Sequence, residues 1–178
     1  GTGIVNTAVK AQMAEGSSEK EAVISMTSLN KTAKRVFDAF ESSIHACTDV
    51  TGFSLAGHSR EMAVASGVSF EIDFQKIPLI SGTADYAAAG LVPAGTYRNR
   101  EFEGKDVSFD FADDVISDII FDPQTSGGLL VSVPEKYAPA IIAALQKSEL
   151  KTPCAVIGRV LPKDKTAIRI INCKRSAK

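Results

Sequence analysis

Cysteine is scarce in this sequence, and its three cysteines, Cys47, Cys154 and Cys173, form no Cys-x-x-Cys pair. An odd number without paired spacing argues against a disulfide framework and against a zinc site. We therefore predict free thiols in a reducing compartment. Cys47 lies two residues before Asp49. The alternation of a strand predicts it to be a small buried core residue and not a nucleophile.

Long apolar runs are also missing. No segment approaches the ~18 apolar residues that a membrane-spanning helix needs, and no signal-peptide pattern opens the chain. We therefore predict a cytoplasmic protein with no membrane partner.

The chain also has no large excess of either charge, because it contains 20 basic and 21 acidic residues. The only basic cluster, Lys174, Arg175 and Lys178, belongs to a predicted disordered tail over residues 173–178. We therefore expect no nucleic-acid partner. With 44% hydrophobic residues in a chain of 178, residues 1–172 are predicted to form one domain around a sizeable core.

Helical and strand patterns are interleaved along the chain. Apolar residues at three- and four-residue intervals predict a long helix over 19–41, opened by a capping box of Ser18 and Glu21. Interleaved elements of this kind predict an α+β fold, a layered sandwich in which helices lie against a mixed sheet.

Glycine and proline divide the rest of the chain into elements. Gly67 is predicted to close a helix over 55–66, and the alternation after it predicts a half-exposed strand over 68–73. The punctuated stretch 76–110 is predicted to be a long connection with one short helix, over 84–89. Further helices are predicted over 5–14, 112–120 and 134–147, and further strands over 44–48, 128–133, 155–160 and 167–171.

The most informative stretch, here called the first motif, is residues 48–58, TDVTGFSLAGH. Asp49 ends a predicted strand, and Thr51 and Gly52 turn the chain into a helix. This arrangement holds a carboxylate at the rim of a sheet, beside the N–H groups of a helix start, where a magnesium-bound phosphate fits. The same pattern also occurs in ordinary turns in which Asp or Thr caps the helix, so both interpretations stay open.

A second motif, residues 121–133, reads FDPQTSGGLLVSV and joins a polar turn to an apolar strand. The two motifs at this separation resemble the selenophosphate synthetase (selenide, water dikinase) family. The resemblance continues through residues 1–3, 95–99 and 157–160, and so spans nearly the whole chain. It is a resemblance to the carboxyl-terminal half of that family's enzymes.

The resemblance implies both a fold and a reaction. The fold is that of the carboxyl-terminal domain of the aminoimidazole ribonucleotide synthetase superfamily. The reaction converts ATP, hydrogen selenide and water to selenophosphate, phosphate and AMP, with Mg²⁺ and ATP as cofactors. The expected partners are the amino-terminal domain of the same enzyme and a second copy, as a homodimer. The reactive cysteine or selenocysteine and the essential lysine belong to that other half, so no catalytic residue is expected in this chain.

Site residues follow from the match to the family motifs. Asp49 is expected to hold metal ions that bridge the ATP phosphates. The other expected contacts to the nucleotide site are Thr48, Thr51, Gly52, Gln124, Thr125 and Ser126. Structural roles stay open for them: Thr51 can simply cap the helix, and residues 122–128 can be a tight loop that leads into the strand.

Four further positions have more than one interpretation. Ser54 replaces a glycine of the family pattern, which puts a positive φ there in doubt. His58 could donate to an anion, although a packing role is favoured. Arg98 and Asn99 match a family pattern, and the arginine could steady a phosphate or form a salt bridge at a domain interface.

Two competing hypotheses remain. A sister synthetase of the same superfamily would share the fold and an aspartate-containing motif, although the combined motifs fit it less well. A non-catalytic paralogue would keep the fold and serve as an interaction module.

Overall fold

The computed structural model describes residues 1–173. The basic cluster of the predicted tail lies outside the described residues. Within them, no helix is long and apolar enough to cross a bilayer.

Helices and strands are interleaved as predicted. The α-helices are α1 (Thr2–Lys10), α2 (Gly16–Thr27), α3 (Lys31–Asp38), α4 (Ser54–Ser66), α5 (Thr83–Ala88), α6 (Ala94–Glu103), α7 (Asp114–Ile120) and α8 (Ala138–Lys147). The strands are β1 (Ala46–Asp49), β2 (Val68–Asp73), β3 (Val107–Phe109), β4 (Leu129–Ser132), β5 (Gly158–Pro162) and β6 (Ile168–Ile171).

The strands form two sheets. One has four strands in the order β3-β6-β2-β5, in which β2 pairs with β5 in antiparallel and with β6 in parallel orientation, and β3 pairs with β6 in parallel. The other is the antiparallel pair β1-β4. The predicted α+β fold with a mixed sheet is therefore confirmed.

Three apolar clusters hold the elements together. The first lies between the four-stranded sheet and helices α4 and α7, and includes Phe70, Ile168 and Phe121. The second joins α1, α2 and α5, and the third joins α3 and α8 to the two-stranded sheet. Helix α4 thus packs against the main sheet while its first turn follows directly on β1.

The predicted end of α4 is correct. Gly67 has a φ of +66°, and its N–H donates to the carbonyl groups of Ala63 and Val64. A residue without a Cβ adopts this left-handed conformation at little cost, which is why glycine ends helices in this way.

The predicted long helix 19–41 is wrong, because the chain forms α2 and α3 with a break at Ser28. Its hydroxyl donates to the Ile24 carbonyl over 2.6 Å while its own backbone is extended. Serine competes in this way with helical hydrogen bonds. The predicted capping box is also wrong: Ser18 contacts the Tyr86 hydroxyl, and Glu21 accepts from Ser81.

Strand β2 is buried and not half-exposed as predicted. The polar side chains of Ser69, Glu71 and Asp73 are buried along with their apolar neighbours. The cause is its central position, since Arg159 of β5 and Arg169 of β6 flank Glu71 and form ion pairs with it at 2.8 and 3.5 Å.

The stretch 76–110 contains α6 and β3 as well as the short helix that was predicted. Pro93 and Gly95 suggested a loop, but Pro93 precedes α6 and Gly104 follows it. Proline at the start and glycine just past the end are typical helix boundaries, so a signal was present in the sequence.

Candidate functional site

The two motifs lie side by side. Strand β1, which enters the first motif, pairs with β4 of the second, and Asp49 lies opposite Leu129. Beyond the strands, the Gly127 N–H donates to the Val50 carbonyl over 2.8 Å and the Gln124 N–H donates to the Thr51 carbonyl over 3.0 Å. Segments more than 70 residues apart in sequence therefore form one continuous rim.

Asn99 of α6 fastens the same rim from behind. Its side-chain nitrogen donates to the Gly52 carbonyl over 3.0 Å and to the Phe121 carbonyl over 3.1 Å. Asn99 is buried, whereas the adjacent Arg98 is exposed. The sequence left the roles of Arg98 and Asn99 open. The structure gives Asn99 a structural role and leaves the Arg98 side chain accessible to a ligand or another domain.

Asp49 is exposed at the end of β1. The described residues contain no group of three or more His, Cys, Asp or Glu side chains placed to hold a metal ion. Magnesium in nucleotide sites is commonly held by one or two carboxylates together with phosphate oxygens and water. A single accessible carboxylate therefore fits a shared magnesium site to which other groups contribute.

Cys47 is exposed, which corrects the prediction of a buried core residue. Cys47 and Asp49 share one face of β1, whereas Ala46 and Thr48 on the other face are half-buried. Helices α3 and α8 pack against the two-stranded sheet β1-β4 at Leu129 and Val133, and they leave Cys47 exposed. Partial burial and the nearby Asp49 carboxylate raise the pKa of the Cys47 thiol, which makes it a poor nucleophile at neutral pH.

The remaining first-motif residues differ in their surroundings. Thr48 is half-buried, and its hydroxyl contacts the Asp49 carbonyl at 3.3 Å. The Thr51 hydroxyl lies 3.0 Å from Nε2 of His58. Gly52 is exposed, and a Cβ added to it would meet no atom within 4 Å, so a ligand can approach its backbone closely on that side.

Ser54 resolves the doubt about the departure from the family pattern. Its φ is +71°, so the conformation suited to glycine is kept although a serine occupies the position. The side chain is fully buried and its hydroxyl accepts from the Gly57 N–H at 3.3 Å.

Gln124 was predicted to contact the nucleotide site, but its amide is engaged within the protein. Its oxygen accepts from the N–H and the hydroxyl of Thr2, both at 3.2 Å, and its nitrogen donates to the carbonyl and carboxylate oxygens of Asp122. Gln124 therefore fixes the second-motif loop to the start of the chain. Thr125 and Ser126 are exposed at the tip of this loop.

Asp122 is a buried charge that the sequence reasoning did not single out. It is fully buried, its Oδ2 accepts from the Gly3 N–H at 3.0 Å, and burial raises the pKa of its carboxyl group. A Cβ at Gly3 would lie 2.4 Å from Asp122 Oδ1, so only glycine fits there. The signal was a carboxylate directly after the apolar run 119–121.

A second acidic group lies behind α4. Glu103 of α6 is 3% exposed, and Arg60 Nε lies 3.1 Å from its carboxylate and 2.6 Å from that of Asp106. Burial raises the pKa of Glu103, and Arg60 opposes this increase. The group ties α4, which follows the first motif, to α6, which carries Asn99.

Comparison with known proteins relates this geometry to sequence families. The family described as AIR synthase related protein, C-terminal domain, matches residues 1–171. Selenide, water dikinase 2 of Peptoclostridium acidaminophilum is 43% identical over 176 residues, which are 96% of this chain and 48% of that protein. Selenide, water dikinase of Caldanaerobacter subterraneus subsp. tengcongensis is 42% identical over 170 residues, with the same shares. The resemblance predicted from the two motifs is thus confirmed, and the chain spans about half the length of these relatives.

A solved structure supports the fold. A chain in the crystal structure of a HypE-HypF complex aligns with a TM-score of 0.50 and 19% identity, over 78% of this chain and 37% of that one. At this identity the likeness concerns the fold alone. From the family match over nearly its whole length, this chain belongs to the AIR synthase related protein, C-terminal domain, family.

Proposed function

We propose that this chain is the carboxyl-terminal part of a selenide, water dikinase, which converts ATP, selenide and water to selenophosphate, phosphate and AMP. The observation that carries the proposal is the pairing of the two motifs, with Asp49 exposed at their shared rim, in a chain 43% identical to a protein of that name. In this proposal residues 1–172 act as a single domain that supplies part of the nucleotide site.

The proposed task of the first motif is to hold magnesium against the ATP phosphates. Bound magnesium would neutralise phosphate charge, which phosphoryl transfer requires more than it requires covalent chemistry by the protein. Asp49 is the proposed ligand because its carboxylate is accessible and is a hard oxygen donor. Thr48, Thr51 and Gly52, its neighbours in the sequence, would add hydroxyl groups and an open backbone.

The second motif would complete the wall of the site. Gln124 holds the loop in place through Thr2 and Asp122, so its proposed role is to orient the loop and not to contact the nucleotide. Thr125 and Ser126 are exposed at the loop tip and are the proposed direct contacts. None of these groups is a proposed nucleophile, so the reacting residues would come from an amino-terminal half.

The proposed assembly is a cytoplasmic homodimer in which each amino-terminal half completes the site of its own carboxyl-terminal half. The relatives in the comparison are about twice as long as the matched region, which agrees with a second half of similar size.

Selenide-dependent production of AMP from ATP tests the proposal. We expect turnover by the full-length protein that contains residues 1–178, and none by residues 1–178 alone. Addition of magnesium should be required, and removal of magnesium with a chelator should stop the reaction.

Other outcomes separate the alternatives. Hydrolysis of ATP that is indifferent to selenide would favour a sister synthetase. A folded full-length protein that binds no nucleotide and turns over nothing would favour an interaction module. Turnover by residues 1–178 alone, free of the longer enzyme, would overturn the division of labour between the two halves.

A further inference from the structure

We infer that Glu61 orients His58 so that the His58 ring accepts a hydrogen bond from the Thr51 hydroxyl. Thr51 can then only accept a hydrogen bond from a ligand. Thr51 would then receive a donor such as magnesium-bound water and would not bind a phosphate oxygen. The identity of that ligand rests on the proposed function, whereas the orientation of the hydroxyl does not.

Three side chains form a chain of contacts. Thr51 Oγ1 lies 3.0 Å from His58 Nε2, and His58 Nδ1 lies 3.1 Å from Glu61 Oε2. His58 is 7% exposed, and the ring of Phe53 lies 6.0 Å from its own. A surface histidine would leave at least one nitrogen to water, but here both nitrogens have a protein partner.

The helix supplies the spacing. His58 and Glu61 are three residues apart on α4, which places them on the same face. Thr51 lies in the turn before the helix, and its carbonyl accepts from the Ser54 N–H at 3.0 Å. The turn and the first helical residues therefore hold the three groups in position together.

The chemistry of each group sets the direction of the hydrogen bonds. An ionised carboxylate only accepts, so the Nδ1 of His58 that faces Glu61 must carry a hydrogen. In a neutral imidazole the other nitrogen is then an acceptor, so Thr51 must donate to Nε2. A hydroxyl has one hydrogen, so while the ring is neutral Thr51 donates that hydrogen to Nε2.

The consequence concerns which ligand Thr51 can take. Phosphate oxygens accept hydrogen bonds, and an acceptor-only hydroxyl repels them. Waters in the shell of magnesium donate, and magnesium keeps several of them when it binds nucleotides. Thr51 lies two residues after the proposed ligand Asp49, so it is suited to hold such a water. His58 is in this view a positioning residue that acts through Thr51.

The tautomer of His58 can be observed directly. The chain has only two histidines, so a His45→Gln variant labelled with ¹⁵N-histidine reports on His58 alone. NMR at a pH where the ring is neutral should find hydrogen on Nδ1 and none on Nε2. Hydrogen on Nε2 as the major form in the folded protein would overturn the inference.

The role of Glu61 has a matched control. Glu61→Ala should weaken the preference for hydrogen on Nδ1, whereas Glu101→Ala, which removes an exposed glutamate on α6, should leave the spectrum unchanged. An unchanged tautomer ratio in Glu61→Ala would contradict an orienting role for that residue.

The functional consequence is measured in the full-length protein as the magnesium concentration needed for half-maximal activity. His58→Phe and Thr51→Val should raise it about three- to tenfold, as the loss of one hydrogen bond predicts. His58→Gln, which offers an amide oxygen, and Thr51→Ser should keep the required magnesium concentration close to that of the parent. A normal magnesium dependence in His58→Phe would overturn the role in positioning. If the parent shows no selenide-dependent turnover, the proposed function fails while the NMR result still decides the hydrogen-bond direction.

Discussion

The side-chain nitrogen of Asn99 lies 3.0 Å from the carbonyl oxygen of Gly52, and this contact fixes helix α6 to the turn of the first motif. The same nitrogen also donates to the Phe121 carbonyl at the start of the second motif. One buried amide therefore sets the distance between two loops that are far apart in sequence.

Asn99→Ala should destabilise the protein by about 2 kcal/mol, because it leaves two carbonyl groups without their donor at a largely buried place. Urea denaturation measures the change. Arg98→Ala, at the exposed neighbouring position, is the matched control and should stay within about 0.5 kcal/mol of the parent. Equal effects of the two variants would show that Asn99 does not fasten the motifs.

Ser54→Gly should stabilise the protein. A non-glycine residue at positive φ costs about 1–2 kcal/mol of stability, which glycine would recover. Glycine also makes the unfolded chain more flexible, and this costs back about 0.5–1 kcal/mol. The serine has a φ of +71° and only one long hydrogen bond, so a net gain of about 0.5–1 kcal/mol is expected in a urea titration. Ala65→Gly, at an exposed position inside α4, should instead destabilise by about 1 kcal/mol. Destabilisation by both would mean that the Ser54 hydroxyl outweighs the backbone strain.

Local signals predicted the elements and the site rim more reliably than they predicted burial. Gly67 ends α4 because left-handed backbone favours glycine, and this requirement is visible in the sequence. Cys47 was misplaced because its exposure depends on where α3 and α8 pack against the two-stranded sheet, which no local pattern encodes. Glu71 was misplaced for the opposite reason, since two arginines from distant strands cover it.

The contacts within the site were the least predictable part. Asp49 was chosen as a candidate because a carboxylate between a strand and a glycine turn is a recognisable pattern, and its role stays a prediction. The partners of Gln124 depend on which segments fold against it, and Thr2 reaches Gln124 from the start of the chain.

Glu103→Gln should change how stability depends on pH. Burial raises the pKa of Glu103 in the folded state, so the folded protein keeps a proton that the unfolded chain releases near its ordinary pKa of about 4.3. The stabilising contribution of the protonated group is complete below that value and is lost as the pH rises through the folded pKa. In urea unfolding, the free energy of unfolding of Glu103→Gln should therefore rise relative to that of the parent as the pH goes from acidic to neutral.

The control for Glu103 is the exposed Glu101 on the same helix. Glu101→Gln should give a nearly constant difference from the parent across the same pH range. A flat difference for Glu103→Gln as well would mean that Arg60 compensates fully for its burial.

Cys47→Ala should leave stability within about 0.5 kcal/mol of the parent, because the side chain is exposed and few contacts are lost. In the full-length enzyme most selenide-dependent turnover should remain, since the raised thiol pKa disfavours the reactive thiolate. A thermal melt and an AMP assay measure the two effects. Loss of turnover in a variant that melts and binds nucleotide like the parent would assign Cys47 a part in the chemistry.

Asp49→Asn should lower turnover of the full-length enzyme at least ~100-fold, because it removes an anionic metal ligand while it keeps the size of the side chain. The melting temperature should barely change, since Asp49 is exposed. In residues 1–178 the same change should lower the pKa of Cys47, because the Asp49 carboxylate helps to raise it, and thiol alkylation should then begin at a lower pH. Asp85→Asn, an exposed carboxylate on α5, should alter neither property. Asp49→Asn could keep near-normal activity at limiting magnesium and still show the expected shift in Cys47 alkylation. This result would show that the Asp49 carboxylate acts on Cys47 but does not hold the metal.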